Sequence, residues 1–154
     1  MRPDAVWIEF QRLQAPGERR VVLEKISIDD DREPFFNGKG EFRFHAKVWT
    51  PDNGGLLKET RLPEEGHFHL SDLPGSNEVR FDAVLFENWV EGKLAIQIGG
   101  LEFDTFDPDD RLDSFKHVFR GDPANWFGHY APTGEAVDPQ DMEGWKLWFR
   151  VEPA

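Results

Sequence analysis

Phe42-Arg43-Phe44-His45-Ala46-Lys47-Val48-Trp49 decides the fold. Phe42, Phe44, Ala46 and Val48 fall on one side of an extended chain and Arg43, His45, Lys47 and Trp49 on the other, the period-two pattern of a strand with one face buried. Working outward, Arg20–Ile28 places Val22, Ile26 and Ile28 in one phase and Val21, Leu23 and Lys25 in the other. Val6, Ile8 and Phe10 alternate with Trp7, Glu9 and Gln11. Segments 57–62, 66–70, 78–86, 93–98 and 145–151 carry the same signal, which makes about eight short strands. Turn chemistry separates them at Ala15-Pro16-Gly17, Pro51-Asp52-Asn53-Gly54-Gly55, Leu73-Pro74-Gly75-Ser76-Asn77 and Glu91-Gly92. Short strands joined by tight turns predict an all-β antiparallel sandwich, one domain over 1–154. Between Asp109 and Phe119 the spacing of Leu112, Phe115 and Phe119 predicts at most one short helix. Residues 121–141, rich in Pro, Gly and Asp, read as a long C-terminal surface loop anchored by Trp126, Phe127 and Tyr130.

The 154 residues carry 18 Lys+Arg against 30 Asp+Glu, a net charge of -12, so a phosphate-tracking nucleic-acid binder would oppose its own field. No cysteine is present, which removes disulfides, thiolate metal sites and a cysteine nucleophile. No apolar run is long enough for a membrane span, and Met1-Arg2-Pro3-Asp4 leads into no signal-peptide core, so a soluble chain is expected.

The acidity is local. Residues 1–50 are balanced, and the excess lies after position 50. Asp29, Asp30, Asp31 and Glu33 form one cluster; Glu102, Asp104, Asp107, Asp109, Asp110 and Asp113 form a second, with Arg111 alone opposing it. Such density is costly unless the side chains fan into water or share a cation. Ca²⁺ takes six to eight oxygen ligands, and loops on one rim of a sandwich supply them readily.

Leu94-Ala95-Ile96-Gln97-Ile98 leads through Gly99-Gly100-Leu101 to Glu102-Phe103-Asp104 and, after five intervening residues, to Asp110-Arg111-Leu112. This resembles the strand and D-x-D-x5-D loop of the C2 domain, the calcium- and phospholipid-binding sandwich, and Asn77-Glu78-Val79-Arg80-Phe81 resembles an upstream strand of that family. Glu102 stands where the family has Asp. The resemblance implies a C2-like fold that binds Ca²⁺ through Glu102, Asp104, Asp107 and Asp110, with Asp29, Asp30, Asp31 and Glu41 from the first acidic segment. It also implies docking on a membrane lipid surface or protein partner, for which Phe35, Phe36 and Phe106 are the aromatic tips.

Other readings stand beside it. Acidic runs are commonly solvated loop surface. Outward Trp7, Trp49 and Trp148 would suit a glycan-binding platform in a calcium-stabilised carbohydrate-binding module, or the interface of a structural subunit without metal. Catalysis is not expected. His67-Phe68-His69 presents two imidazoles without a third ligand, and Ser27, Ser71, Ser76 and Ser114 lack a nucleophile elbow.

Overall fold

A computed structural model describes residues 18–29, 40–52, 54–71, 73–90, 92–103, 110–132, 141–142 and 144–154. The strands are β1 (Glu18–Ile28), β2 (Gly40–Thr50), β3 (Gly55–Leu62), β4 (Phe68–Leu70), β5 (Glu78–Trp89), β6 (Leu94–Phe103), β7 (Asp110–Arg111), β8 (Phe115–Phe119), β9 (Gly128–Tyr130), β10 (Asp141–Met142) and β11 (Trp145–Pro153). They form two antiparallel sheets packed as a sandwich. One sheet runs β10-β11-β1-β5, with β9 also on β11. The other runs β3-β2-β6-β7, with β4 beside β3 on β2 and β8 beside β7 on β6. We call them the β1 sheet and the β2 sheet.

The opening alternation holds in full. Phe42, Phe44, Ala46 and Val48 are buried while His45 and Lys47 are exposed. The inward side chains meet Val21, Leu23, Ile26 and Ile28 of β1, Ile96 and Ile98 of β6, and Trp145, Leu147, Phe149 and Val151 of β11 in one core. In β1 the residues of the shared core are Val21 and Leu23, joined to Ile26 and Ile28 across a register shift between Leu23 and Lys25, while Val22, also buried, lies outside that cluster. A bulge of this kind swaps the face a side chain occupies, which simple alternation does not anticipate. The strand expected around Val6–Phe10 lies outside the described residues.

The helix expected between Asp109 and Phe119 is corrected: the described part of that segment holds β7 and β8. Phe115 and Phe119 are buried, His117 is half-buried beside them, and Lys116 is exposed, so the spacing of four was two strand periods rather than one helical turn. Within 121–141 the described residues hold a one-turn 3-10 helix, Pro123–Trp126, capped by the Asp122 carboxylate accepting from Ala124 N, and then β9. Trp126 and Tyr130 anchor it as expected. The Trp126 indole donates to the Arg120 carbonyl at 2.9 Å, the Tyr130 hydroxyl donates to the Trp126 carbonyl at 2.7 Å, and the Tyr130 ring stacks on Phe149 at 4.6 Å.

Gly100 faces the core. A Cβ there would sit 2.7 Å from Leu112 Cδ1 and 2.9 Å from Phe44, so a residue without a side chain lets β6, β2 and the link to β8 close together.

Candidate functional site

Strand register brings the anchors of the two acidic segments together. Glu41, which follows the first, pairs with Phe103, which precedes the second, and Glu102 pairs with both Phe42 and Asp110. Asp29 closes the group: its N–H donates to the Gly144 carbonyl, and the N–H of the preceding Ile28 donates to the Asn77 carbonyl. Leu73, 65% exposed, tips the 71–76 turn at this same end, because Leu70 pairs with Gly40 and Ser71 N–H donates to the Ser76 carbonyl.

Each predicted ligand has a definite place or lies outside the described residues. The Asp29 carboxylate meets Lys146 Nζ at 3.1 Å. The Glu41 carboxylate stands 4.0 Å from His69 Nδ1. Glu102 is 2% exposed, turned inward against Gly40, where a Cβ would lie 3.0 Å from its Oε1. Asp110 is placed by its backbone in β7. Asp30, Asp31, Asp104 and Asp107, and the aromatic tips Phe35, Phe36 and Phe106, lie outside the described residues. Among the described residues no three carboxylate or imidazole side chains converge as a metal-binding group. All the predicted donors are carboxylate oxygens, a set that suits a hard cation such as Ca²⁺ in kind.

The histidines of 67–69 are occupied separately. His67 packs on Phe103, ring centroids 4.4 Å apart, while His69 faces Glu41. Of the tryptophans that the glycan alternative would use, the two described ones do not share a face. Trp49 lies on the outer face of the β2 sheet and Trp148 on that of the β1 sheet, where Lys25 Nζ sits 3.9 Å above its ring. Trp7 lies outside the described residues.

A feature that loop motifs could not reveal is the outer face of the β2 sheet. Arg43, His45 and Lys47 of β2, Arg61 of β3, Arg111 of β7 and Lys116 of β8 all project there in a chain of net charge -12. Gly99, opposite His45, leaves a depression of about 640 Å³ walled by His45, Lys47, Glu59, Arg61, Arg111 and Ser114. Among the described residues few carboxylates answer these cations. Lys47 meets Glu59 at 3.7 Å, Arg43 lies 4.8 Å over the Phe103 ring, Lys116 lies 5.5 Å over Trp49, and Arg61 donates to the carbonyls of Pro63 and Gly66 at 2.6 and 2.9 Å. Partial desolvation, reinforced by Arg43 and Arg61, holds the His45 pKa below its ordinary value although Glu59 opposes the shift. The signal was present in Arg43, His45 and Lys47 of the opening strand, but alternation alone does not say which cations find acids.

No family model matches the sequence, and no curated protein matches it significantly. A search of solved structures finds similarity to a C2 domain, the A domain of plant extended synaptotagmin 1, in a 2.0 Å structure. The TM-score is 0.49 and the identity 9%, with 90% of this chain and 96% of that one covered.

Proposed function

We propose that this chain is a non-catalytic C2-like binding module that docks on a membrane surface or a protein partner through the end of the sandwich carrying its two acidic segments, with Ca²⁺ as the cofactor of that end. The pairing of Glu41 with Phe103 carries the reading, because it sets the described ends of the two acidic segments side by side. Carboxylates from two segments anchored side by side repel until a divalent ion bridges them, so the ion would order both segments at once. Asp30, Asp31, Asp104, Asp107 and Asp110 would hold it, joined by whichever of Asp29, Glu41 and Glu102 exchange their present neighbours for the metal. When bound, the ion supplies positive charge and fixed geometry. The chain's own contribution is the rigid β2–β6 rim and the exposed apolar tip at Leu73, which Phe35, Phe36 and Phe106 would extend.

Calorimetric titration of chelator-treated protein with Ca²⁺ tests the metal. Heat of binding together with a rise in melting temperature at millimolar Ca²⁺ is expected, and neither appearing would overturn it. Asp104→Asn with Asp110→Asn should then weaken binding at least about tenfold, as loss of two charged oxygens from a hard-cation site demands.

A further inference from the structure

We infer that β3 is a docking edge for a second copy of this chain, joined antiparallel about a twofold axis at Thr60, so that two β2 sheets run on as one. β3 ends its sheet, with β2 on one side and, among the described residues, no strand on the other. Its residues from Gly55 to Glu59 are exposed, Leu56 to 57% and Leu57 to 47%. A long edge strand offers a free row of N–H and C=O groups to another strand unless brevity, charge or cover blunts it. The other edges are blunted. β7, β8, β9 and β10 have only two, five, three and two residues. β5 is met by Lys58, whose Nζ donates to the Val84 carbonyl at 2.9 Å, so the one cation that could guard β3 is drawn to the other sheet. A cleft of about 450 Å³ opens between the two edges, its walls including Lys58, Thr60, Leu62, Ala83 and Val84. Thr60 Oγ1 is buried with no hydrogen-bond partner among the described residues.

Charge complementarity selects both the occupant and the register. A twofold axis perpendicular to the sheet keeps matching faces together, so each allowed register centres on one residue of β3 facing its own copy. Centring on Lys58, Glu59 or Arg61 sets that charge against itself. Centring on Thr60 sets Glu59 opposite Arg61 of the second copy, Arg61 opposite Glu59 of the second copy, and Lys58 opposite Leu62. Opposite charges across a strand pair favour it and like charges oppose it. Within one chain Lys47 pairs with Glu59 and His45 with Arg61, so the joined sheet would carry each Glu59 between its own Lys47 and the other copy's Arg61. Arg61 keeps donors for this, because its bonds to the Pro63 and Gly66 carbonyls use only part of the guanidinium. On the axis the two Thr60 hydroxyls face one another. Each can donate and accept, which supplies the partner that Oγ1 lacks. A foreign strand would have to bring base and acid at matching alternate positions, whereas a second copy brings them by symmetry. The edge stands apart from both acidic segments, so calcium plays no part in it.

The test is sedimentation velocity of the full chain in EGTA at low salt, from micromolar to millimolar concentration, where a reversible monomer–dimer equilibrium is expected. Glu59→Arg and Arg61→Glu should each weaken the dimer at least about tenfold, because each sets like charges opposite one another on both sides of the axis. Mixed one to one, the two variants should associate again, because in the mixed pair the two reversed charges meet each other and the two native ones meet likewise. Melting curves check that both variants fold. Thr60→Lys, which puts a charge on the axis against its own copy, is a second route to the same loss. A monomer at every concentration, a dimer that neither reversal weakens, or a mixture that stays monomeric would each overturn the inference. So would protection from hydrogen exchange of the free-edge amides of β3 in dilute monomer, which would mean that another part of the chain already covers that edge.

Discussion

The two outer faces of the sandwich use positive charge in opposite ways. On the β1 sheet the described cations sit among carboxylates. Arg20 bonds Glu87 and Glu152 at 3.0 and 3.1 Å, Arg150 bonds Asp82 and Glu152 each at 3.0 Å, Lys25 meets Glu78, and Lys146 meets Asp29. Hydrogen bonds to Glu152 and then Asp82 raise the Arg150 pKa, and its partners on β5 and β11 show that the lattice spans the sheet. On the β2 sheet the cations rest on rings and carbonyls, and Lys47–Glu59 is an exposed ion pair. A charge neutralised within its own sheet has little left for a partner, whereas one steadied by neutral groups keeps its field. The β1 face is thus finished surface and the β2 face is available.

Beneath the faces the core is shared, and its loss should not discriminate between them. Phe149 of β11 joins the sheets through Phe115 at 5.6 Å and Phe119 at 6.4 Å, and stacks on Tyr130 of its own sheet. Phe149→Ala should cost about 3–5 kcal/mol in denaturant unfolding and degrade both faces together. Gly100→Ala is confined to the β2 sheet. Its added methyl collides with Leu112 and Phe44 and should cost about 1–3 kcal/mol. The ion pairs of the β1 face should persist in this variant.

Much of this architecture was legible in the opening strand and its neighbours, because burying one face of a strand leaves a period-two trace in composition. The segment 109–119 misled because Phe115 and Phe119 are four apart in either reading, and only pairing with Leu94 and Ile98 decides between them. The acidic end was legible as two clusters, and register brings their described ends, Glu41 and Glu102, to neighbouring positions of β2 and β6, while half of the expected ligands lie outside the described residues. The cationic face was legible only as residues. Arg150 meets Glu152 two positions along its own strand, but its further partner Asp82 and the Phe103 ring under Arg43 come from other strands more than fifty positions away, which no local pattern encodes.

Removing single charges separates the faces directly. Arg150→Met deletes the hub between Glu24, Asp82 and Glu152 and should destabilise by about 1 kcal/mol at low salt, shrinking toward zero in 1 M NaCl, because its pairs are partly exposed and screened. Lys116→Gln on the β2 face should shift stability by less than about 0.5 kcal/mol at any salt. Equal losses from both substitutions, measured by urea unfolding, would erase the distinction drawn between the faces.

The smallest effect concerns pH and the seam where β8 of one sheet meets β9 of the other. His117 is packed against Phe119 at 4.5 Å and Tyr130 at 5.6 Å, and burial there holds its pKa below the ordinary 6.5. The same burial raises the Tyr130 pKa, so neither ring favours its charged form in the seam. Above pH 6.5 His117 is neutral whether the chain is folded or not, and its packing contributes fully. As pH falls through 6.5 the unfolded chain takes up the proton first, so stability declines until the lower folded value is passed and then levels. His45 shifts in the same direction on the exposed β2 face, where phosphate or vesicle anions would raise its pKa again. The two histidines are therefore separable. His117→Phe should flatten the loss of stability below pH 6.5 in buffer alone. Added anion should move the His45 ring resonances in an NMR titration and leave those of His117 where they were. Anion-induced shifts of both would show that the seam senses what binds the face, and the faces would then not be independent.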